Sequence, residues 1–465
     1  MDFERDFVST PSDDKALEVA DVLHSACGIY TRSSIVDLIL DAVDWRSDHN
    51  LTKERLLEPA SGDGAFVMAA ADRLIGSFAA HGCALRRDAL MGRILAFEIH
   101  AGEAEKGRAA VVRLLIDYGL PKRDAEAVAA DWVRTADFLL WPPESGAFTH
   151  VVGNPPYLRW SKLPAQLRAH YERVLPAAAA KGDLFLPFLD RGVEMLQVNG
   201  KLGFLCTDRW KYMGFADGFR KIRLPEVDVL IDRAITPSEA YVEPASTYPS
   251  VVVMQRRSEP RRPARRVEKG FTLNEAGFEV RVGPALGCTD AFVLPLEHAN
   301  EVEEELLRPW LSPSDIGDGW IREHSRVVIC LHDNDGMLRD IEIFPKAKAW
   351  LSRYRGKLEQ RSIVQKQSAV WYRSIDKVSA EAWRQPKLLV PELSKTPRLA
   401  LDASGAIPAH GLYTIQAVLP GADIEKLLWQ LSHGKLYTKM AKIAPRANGG
   451  YLRCYKRFLE AIVLA

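Results

Sequence analysis

Short apolar segments alternate with helical patterns throughout the first 256 residues, and this alternation constrains the fold most. Helices are predicted at residues 17–45, 65–80, 101–118 and 183–197, and strands at residues 55–58, 94–98, 151–152, 201–206, 227–230 and 250–254. Such alternation is typical of a mostly parallel sheet with helices on both faces. The sequence therefore predicts an α/β fold with a Rossmann-like, doubly wound sheet.

This regularity is lost in the C-terminal part of the chain. From residue 278 onward, short β patterns alternate with prolines and tryptophans, which predicts an α+β domain. Between the two patterns, residues 256–266 are rich in arginine and hold one acid. Such a stretch is either a solvated linker or a phosphate-binding surface. We therefore predict a domain over residues 1–256, a basic linker over 257–272 and a second domain over 273–465.

Composition is that of an ordinary soluble globular protein, with 47% hydrophobic and 26% charged residues. The sequence contains no run of eighteen uncharged apolar residues, so no membrane span is predicted. The N-terminus is acidic and polar, unlike a secretory signal. The cysteines form no CxxC pair, so a cytoplasmic protein with reduced thiols is predicted. The net charge of +1 does not by itself favour a nucleic-acid partner.

Two predicted strands end in acids beside a turn of small residues. Glu58 ends the first strand, Gly62 and Gly64 lie in the next turn, and Glu98 ends the second strand. Ligands of open α/β sheets bind beyond the carboxyl ends of the strands, and glycine lets the backbone approach them. The turn lacks the three-glycine pyrophosphate fingerprint, so a ligand without a pyrophosphate is favoured. The alternative is an ordinary turn with incidental glycines.

The most informative segment is Asn154-Pro155-Pro156-Tyr157, which follows the strand at 151–152. Two prolines fix the backbone direction and remove two N–H donors. The Asn154 side-chain oxygen and the Pro155 carbonyl remain as rigid acceptors. Two such acceptors suit an exocyclic amine, because they aim its lone pair and stabilise the positive charge that develops on nitrogen. The alternative is a proline-rich turn in which Tyr157 is ordinary packing.

In these motifs and their order, the chain resembles the gamma-class N6-adenine DNA methyltransferases of the TaqI-like type. Residues 28–31 resemble the family's N-terminal cofactor motif, although Arg32 stands where the family usually has proline. Residues 57–66 resemble its first cofactor motif, and residues 154–157 its catalytic motif. The resemblance implies an S-adenosylmethionine site formed by Tyr30, Thr31, Glu58, Pro59, Ala60, Gly62, Gly64, Glu98, Asp137 and Phe138.

The resemblance also implies that an adenine is flipped out of duplex DNA and methylated on N6. Asn154, Pro155, Pro156 and Tyr157 would be the catalytic residues. Tyr157 and Tyr241 would stack on the flipped base, with Tyr248 as the alternative to Tyr241. The C-terminal domain would be a target-recognition domain, because residues 287–294, 344–347, 371–373 and 391–394 resemble segments of such domains. The resemblance further implies double-stranded DNA and a cognate restriction endonuclease as partners of a monomeric protein. It also implies a bacterial protein that associates with the nucleoid when it acts on DNA.

Weaker signals leave other interpretations open. Cys330, His332, Asp333 and Asp335 are metal-ligand types, but a turn explains them better, and no metal is expected. The basic residues between Arg353 and Arg373 are either a solvated helix face or a set of phosphate contacts. Asn-Pro-Pro-Tyr also occurs in enzymes that methylate RNA or protein glutamine, which are the first rivals. A non-catalytic DNA-binding subunit is the second.

Overall fold

The computed structural model describes residues 30–142, 145–176, 181–242, 249–261, 270–367, 369–444 and 450–464. The chain divides into two compact units, Met1–Ala264 and Arg265–Ala465. Among the described helices, none is long and apolar enough to cross a membrane.

The first unit is an α/β layer structure. Its strands are β1 (Leu56–Glu58), β2 (Ile94–Glu98), β3 (Val133–Thr135), β4 (Phe148–Gly153), β5 (Leu196–Thr207), β6 (Val227–Ala234) and β7 (Pro249–Arg256). Its helices are α1 (Ser33–Ala42), α2 (Ala65–Ala80), α3 (Arg87–Leu90), α4 (Ala101–Asp117), α5 (Lys122–Trp132), α6 (Ala165–Val174), α7 (Phe185–Met195), α8 (Asp217–Ile222) and α9 (Pro237–Ala240).

The seven strands form one sheet in the order β3-β2-β1-β4-β5-β7-β6. Adjacent strands from β3 to β5 are parallel, whereas β7 is antiparallel to both β5 and β6. The chain moves outward from β1 to β3 and then returns to place β4 beside β1. This return makes β1 and β4 the switch point of the sheet, where ligands of open α/β folds bind.

The core lies on both faces of this sheet. Leu56 and Leu57 are adjacent in β1 and fully buried, yet they belong to two different hydrophobic clusters. Neighbouring side chains of a strand point to opposite faces, so helices cover β1 on both sides. The predicted Rossmann-like, mostly parallel sheet is thus confirmed.

The predicted helix over residues 17–45 needs correction. Residues 17–29 lie outside the described part of the chain, and α1 begins only at Ser33. Thr31 is instead extended and forms a β-bridge with Tyr241. The backbone N–H of Arg32 donates to the Ala240 carbonyl, and that of Val242 donates to the Tyr30 carbonyl. Pairing with this distant segment holds residues 30–32 in an extended conformation.

The second unit is a mixture of small sheets and short helices. Its strands are β8 (Phe271–Thr272), β9 (Phe278–Val282), β10 (Val293–Pro295), β11 (Leu307–Leu311), β12 (Arg326–Ile329), β13 (Lys387–Pro391), β14 (Leu393–Ser394), β15 (Ala400–Asp402), β16 (Ile407–Pro408), β17 (Leu412–Ala417), β18 (Leu452–Arg453) and β19 (Val463–Leu464). Its helices are α10 (Thr289–Phe292), α11 (Pro345–Ser352), α12 (Arg355–Glu359), α13 (Ser362–Gln367), α14 (Ile424–Leu431), α15 (Lys435–Ala441) and α16 (Lys456–Glu460).

Two four-stranded sheets organise this unit, in the orders β10-β12-β11-β16 and β15-β13-β17-β9. The pairs β14–β18 and β19–β8 stand apart from them. Most of these pairings are antiparallel, which short hairpin and loop connections favour.

Both ends of the predicted basic linker are ordered. Arg257 forms an ion pair with Asp228 at 2.5 Å, and its backbone N–H donates to the Glu226 carbonyl. At the other end, Phe271–Thr272 is a strand paired with Val463–Leu464. Residues 262–269 lie outside the described part of the chain. The boundary between the two compact units falls inside the predicted segment 257–272, and backbone and ion-pair contacts hold both ends of this segment.

Candidate active site

A cavity lies at the carboxyl ends of β1, β2 and β4. Residues predicted for the cofactor that line it are Tyr30, Thr31, Glu58, Pro59, Ala60, Gly62, Glu98, Asp137 and Phe138. Asn154 and Pro156 of the predicted catalytic turn line it as well. Parallel strands bring these residues together, since their carboxyl ends meet at one edge of the sheet.

The small-residue turn after β1 uses its two glycines differently. Gly62 has φ +52° and Gly64 has φ +85°, both in the left-handed region that favours glycine. Gly62 lines the cavity, and its N–H donates to Oε2 of Glu98 at 2.8 Å. Gly64 is not among the residues that line the cavity, and its predicted cofactor contact stays a prediction. It is the N-cap residue of α2, and a Cβ there would lie 3.7 Å from Cα of Gly107.

Glu58 and Glu98 end neighbouring parallel strands, and both are buried. Oε2 of Glu58 has no hydrogen-bond partner among the described residues. Burial, with the nearby carboxylates Asp63 and Glu98, raises the pKa of Glu58 well above its usual value. Glu98 accepts backbone N–H groups of Gly62 and His100, each at 2.8 Å. Glu58 therefore offers an unused buried acceptor to a cationic group, whereas Glu98 also holds the turn in place.

Asp137 lies just after β3, at the far end of the cavity. Its Oδ1 accepts the Leu139 N–H at 2.9 Å, and its Oδ2 accepts the Tyr171 hydroxyl at 2.6 Å. Burial is the main cause of its raised pKa. The adjacent Phe138 stacks on Phe188 with ring centroids 5.6 Å apart.

Sequence reasoning missed Tyr171 and Phe188, which both line the cavity. Tyr171 is the one buried residue of helix α6, so no buried apolar stripe in the sequence indicated it. Phe188 lies in the predicted helix at 183–197, where it read as ordinary core. Its proximity to Phe138 depends on tertiary packing and could not be read from spacing.

Asn154 follows β4, which ends at Gly153, and its side chain is held from both ends. Nδ2 donates to Oγ1 of Thr31 at 3.1 Å, and Oδ1 accepts the Tyr157 hydroxyl at 2.5 Å. The Tyr157 hydroxyl also lies 2.6 Å from the Leu205 carbonyl oxygen, so its one proton serves two acceptors. The Pro155 carbonyl accepts no hydrogen bond from the described residues. The turn thus presents one backbone acceptor and one oriented amide.

Tyr241 does not stand free as a stacking platform. Only 1% of its surface is exposed, and it belongs to the core beneath the sheet. Its ring meets that of Tyr157 edge-on, with centroids 6.3 Å apart, and the two hydroxyls are hydrogen-bonded. A base could reach its face only after this packing opened. The alternative, Tyr248, lies outside the described residues.

Part of the predicted phosphate-contact region is also internal. Arg361 is buried and donates to the carbonyls of Leu358, Leu286 and Trp371. Because its N–H groups donate to these carbonyls, the Arg361 guanidinium supports the backbone and does not contact a phosphate. Arg355 is exposed but paired with Glu359 at 2.8 Å, and it lies over the Trp371 ring.

The segment around Asp333 is a turn, as predicted. The Met337 N–H donates to Oδ1 of Asp333 at 2.7 Å, and the Gly336 N–H donates to the Asp333 carbonyl. Nδ1 of His332 accepts the Val378 N–H. Within the described residues, no three His, Cys, Asp or Glu side chains are grouped as metal ligands would be.

The residues of the cavity fit S-adenosylmethionine. The molecule carries an ammonium and a sulfonium charge, ribose hydroxyls and an adenine ring. The unpartnered Oε2 of Glu58 matches a cationic group, and the Phe97 and Phe138 rings provide apolar surface. The Rossmann-like sheet and the residues of this cavity fit a methyltransferase with S-adenosylmethionine as its cofactor.

Comparison with known proteins narrows the class. Residues 105–229 match the family described as Eco57I restriction-modification methylase. The chain is 28% identical to the type II methyltransferase M.XhoI of Xanthomonas vasicola, over 93% of this chain and 90% of that protein. It is 29% identical to the type II methyltransferase M.PaeR7I of Pseudomonas aeruginosa, over 96% and 87% respectively. These matches relate the chain to the methyltransferases of restriction-modification systems.

A solved structure extends the likeness in fold to both units. The type IIL restriction-modification enzyme MmeI, determined in complex with DNA, superposes with a TM-score of 0.59 at 14% identity. The match covers 97% of this chain and 67% of that one.

Proposed function

We propose that the protein methylates the N6 amine of adenine in duplex DNA, at a specific sequence. The observation that carries the proposal is the position of Asn154 and Pro155. They follow β4, the strand beside β1, and Asn154 lines the same cavity as Glu58 at the switch point. A planar amine that must approach a methyl donor needs this adjacency.

The chain's own groups hold and polarise the amine. Oδ1 of Asn154 and the Pro155 carbonyl each accept one N–H, which draws the nitrogen toward tetrahedral geometry. The same two oxygens stabilise the positive charge that develops on nitrogen, and the largely buried site strengthens this effect. When bound, S-adenosylmethionine supplies an electrophilic methyl group. No metal and no strong general base are needed for this transfer.

The amine of a paired adenine is inaccessible inside a duplex. Enzymes that act on such a base extrude it into a pocket, at a cost of a few kcal/mol that enzyme contacts must offset. The ring of the half-buried Tyr157, whose hydroxyl lies 2.5 Å from Oδ1 of Asn154, would receive the base. In this proposal the first unit performs the chemistry, and the second unit recognises the target sequence.

Methylation of RNA or of a protein glutamine is the rival function, because the same acceptors would serve either amine. The second unit, with 201 residues from Arg265 to Ala465, favours a large substrate that must be read. The similarity to M.XhoI and M.PaeR7I, both type II methyltransferases, also favours DNA.

The test is a methylation assay with labelled S-adenosylmethionine on duplex DNA, on RNA and on protein. Nucleoside mass spectrometry of digested DNA would identify the product, and long-read sequencing of genomic DNA would give its sequence context. We expect N6-methyladenine in one sequence motif of duplex DNA. Label in RNA or protein with none in DNA would refute the proposal, and so would methylcytosine as the product. Asn154→Ala is the matched inactive control.

A further inference from the structure

The most one-sided charge distribution of the chain lies near its C-terminal end. Residues 426–459 contain eight lysines and arginines and no aspartate or glutamate, in a chain whose net charge is only +1. Acids elsewhere therefore balance a strongly basic segment here. Such a segment is suited to an anionic partner.

One helix displays three of these lysines on a single face. Lys435 and Lys439 lie on α15, and Lys442 follows its last residue, so the three occupy positions i, i+4 and i+7. Like charges at this spacing repel one another and destabilise a helix that has no partner. Lys435 and Lys442 are exposed, and neither has a carboxylate within ion-pair distance in the described part of the chain. Lys439 is partly covered, and its ammonium donates to the Val463 carbonyl.

Exposed aromatic rings accompany these lysines. Trp429 is 70% exposed, and Nζ of Lys435 lies 4.7 Å from its ring centroid. Tyr451 is 39% exposed, and Nζ of Lys395 lies 4.8 Å from its ring. The Tyr437 hydroxyl on α15 donates to the Lys395 carbonyl at 2.8 Å, which ties the segment of Lys395 to this helix. We call this set the lysine–aromatic surface, formed by Lys395, Trp429, Lys435, Lys442 and Tyr451.

We propose that the lysine–aromatic surface binds the sugar–phosphate backbone of the DNA substrate. This inference rests on the proposed function and adds the place where the second unit holds its DNA. Lys435 and Lys442 are about 10 Å apart along the helix, which is about three nucleotides of one strand. Their ammonium groups meet phosphates, while the faces of Trp429 and Tyr451 meet the apolar side of the deoxyribose. The contacts are to backbone, so they supply affinity and orientation without reading sequence.

An acidic protein would also be attracted to lysines, but the observations favour DNA. The lysines stand in a row, as the phosphates of one strand do, and each ring is already aligned with a lysine. This row is also a better candidate than the region from Arg353 to Arg373, where Arg361 is internal and Arg355 is paired.

The test uses the full chain and fluorescence anisotropy with a duplex that contains the target site and with a random duplex. The variant carries Lys395→Ala, Lys435→Ala and Lys442→Ala. We expect weaker binding to both duplexes by the same factor, and a dependence of log K on log salt that is less steep by about 2 to 3 units. A matched control carries Lys346→Ala, Lys348→Ala and Lys377→Ala, the same charge change elsewhere in the second unit and outside the region from Arg353 to Arg373. It should keep the slope of the parent protein.

An unchanged slope in the first variant would overturn the proposal, as would an equal change in the control. If the triple variant does not fold, Lys435→Gln alone should still lessen the slope by about one unit. Trp429→Ala should weaken binding to both duplexes while Trp429→Phe retains most of it, and equal binding by the two would contradict the role of the ring.

If the parent protein methylates DNA while the variants bind DNA normally, the proposed surface is wrong but the proposed function stands. Should the parent protein bind and methylate no DNA, the proposed function itself fails.

Discussion

The amide of Asn154 donates to the hydroxyl of Thr31, which is 123 residues earlier in the chain, at 3.1 Å. Thr31 is fixed in turn, because its backbone bridges that of Tyr241. The hydroxyl of Tyr241 is hydrogen-bonded to that of Tyr157, which donates to Oδ1 of Asn154. The contacts among these four residues form a closed cycle. This cycle determines which end of the Asn154 amide is the acceptor.

Asn154→Ala should abolish most methyl transfer and leave cofactor binding nearly intact. The side chain is placed to touch the target amine, and the loss of one oriented acceptor in a buried site costs about a hundredfold or more in rate. Single-turnover methylation and calorimetry with S-adenosylmethionine measure the two effects separately. Near-normal turnover in this variant would contradict the catalytic assignment of the turn.

Thr31→Val should lower kcat by about three- to tenfold, since a neutral hydrogen bond contributes about 0.5–1.5 kcal/mol. Valine preserves the shape of the side chain but cannot accept the Asn154 N–H, so the amide loses its fixed orientation. Thr31→Ser keeps the acceptor and should restore most of the rate. Because Thr31 also lines the cavity, KM for S-adenosylmethionine must be measured alongside kcat. A raised KM with unchanged kcat would mean that Thr31 only contacts the cofactor.

Tyr241→Ala should destabilise the first unit by about 3–5 kcal/mol, as expected for the loss of a buried aromatic ring. Tyr241→Phe keeps the packing and should cost only about 1 kcal/mol for the lost hydroxyl contact. Urea denaturation without DNA gives these values, and 2-aminopurine fluorescence at the target base reports extrusion. If Tyr241→Ala were as stable as the parent protein but lost the fluorescence increase, the stacking role predicted from sequence would be right.

The sequence predicted the strands that carry the site because their local signals agree. An apolar run such as Ile94–Glu98 ends in an acid, and the turn at Gly62 and Gly64 needs left-handed backbone, so pattern and position indicate the same edge of the sheet. Asn154 was found for the same reason. Its prolines mark a turn that directly follows a buried strand.

What could not be predicted depends on contacts between distant segments. Tyr241 has the sequence neighbours of an exposed loop aromatic, yet the bridge to Thr31 draws it into the core. Arg361 lies in a basic stretch, but three carbonyls from separate segments surround its guanidinium. Neither arrangement leaves a periodic trace in the sequence.

Asp402→Asn should destabilise the second unit by about 3–5 kcal/mol. Nζ of Lys387 lies 2.6 Å from Oδ2 of Asp402, and the two side chains are 0% and 3% exposed. Removing the carboxylate charge leaves a buried ammonium whose pKa burial already lowers. The double variant Lys387→Met, Asp402→Leu removes both charges and should cost much less. Urea titrations of the three proteins measure the difference, and an equal loss in both variants would show that the ion pair is not the cause.

Acid should destabilise the first unit through His150. Burial lowers the pKa of this β4 histidine to about 4, against about 6.5 in an unfolded chain. The folded pKa is the lower one, so the unfolded chain binds the proton first. The stability contributed by the neutral ring is therefore present above about pH 6.5 and is lost as the pH falls toward 4. From pH 7 to pH 5 this loss is about 2 kcal/mol.

His150→Asn removes the titrating group, so the free energy of unfolding of this variant should fall less over that interval by about this amount. Urea titrations of both proteins at the two pH values isolate the histidine, because every other titrating group is common to them. Parallel losses in the two proteins would show that His150 does not set the acid sensitivity.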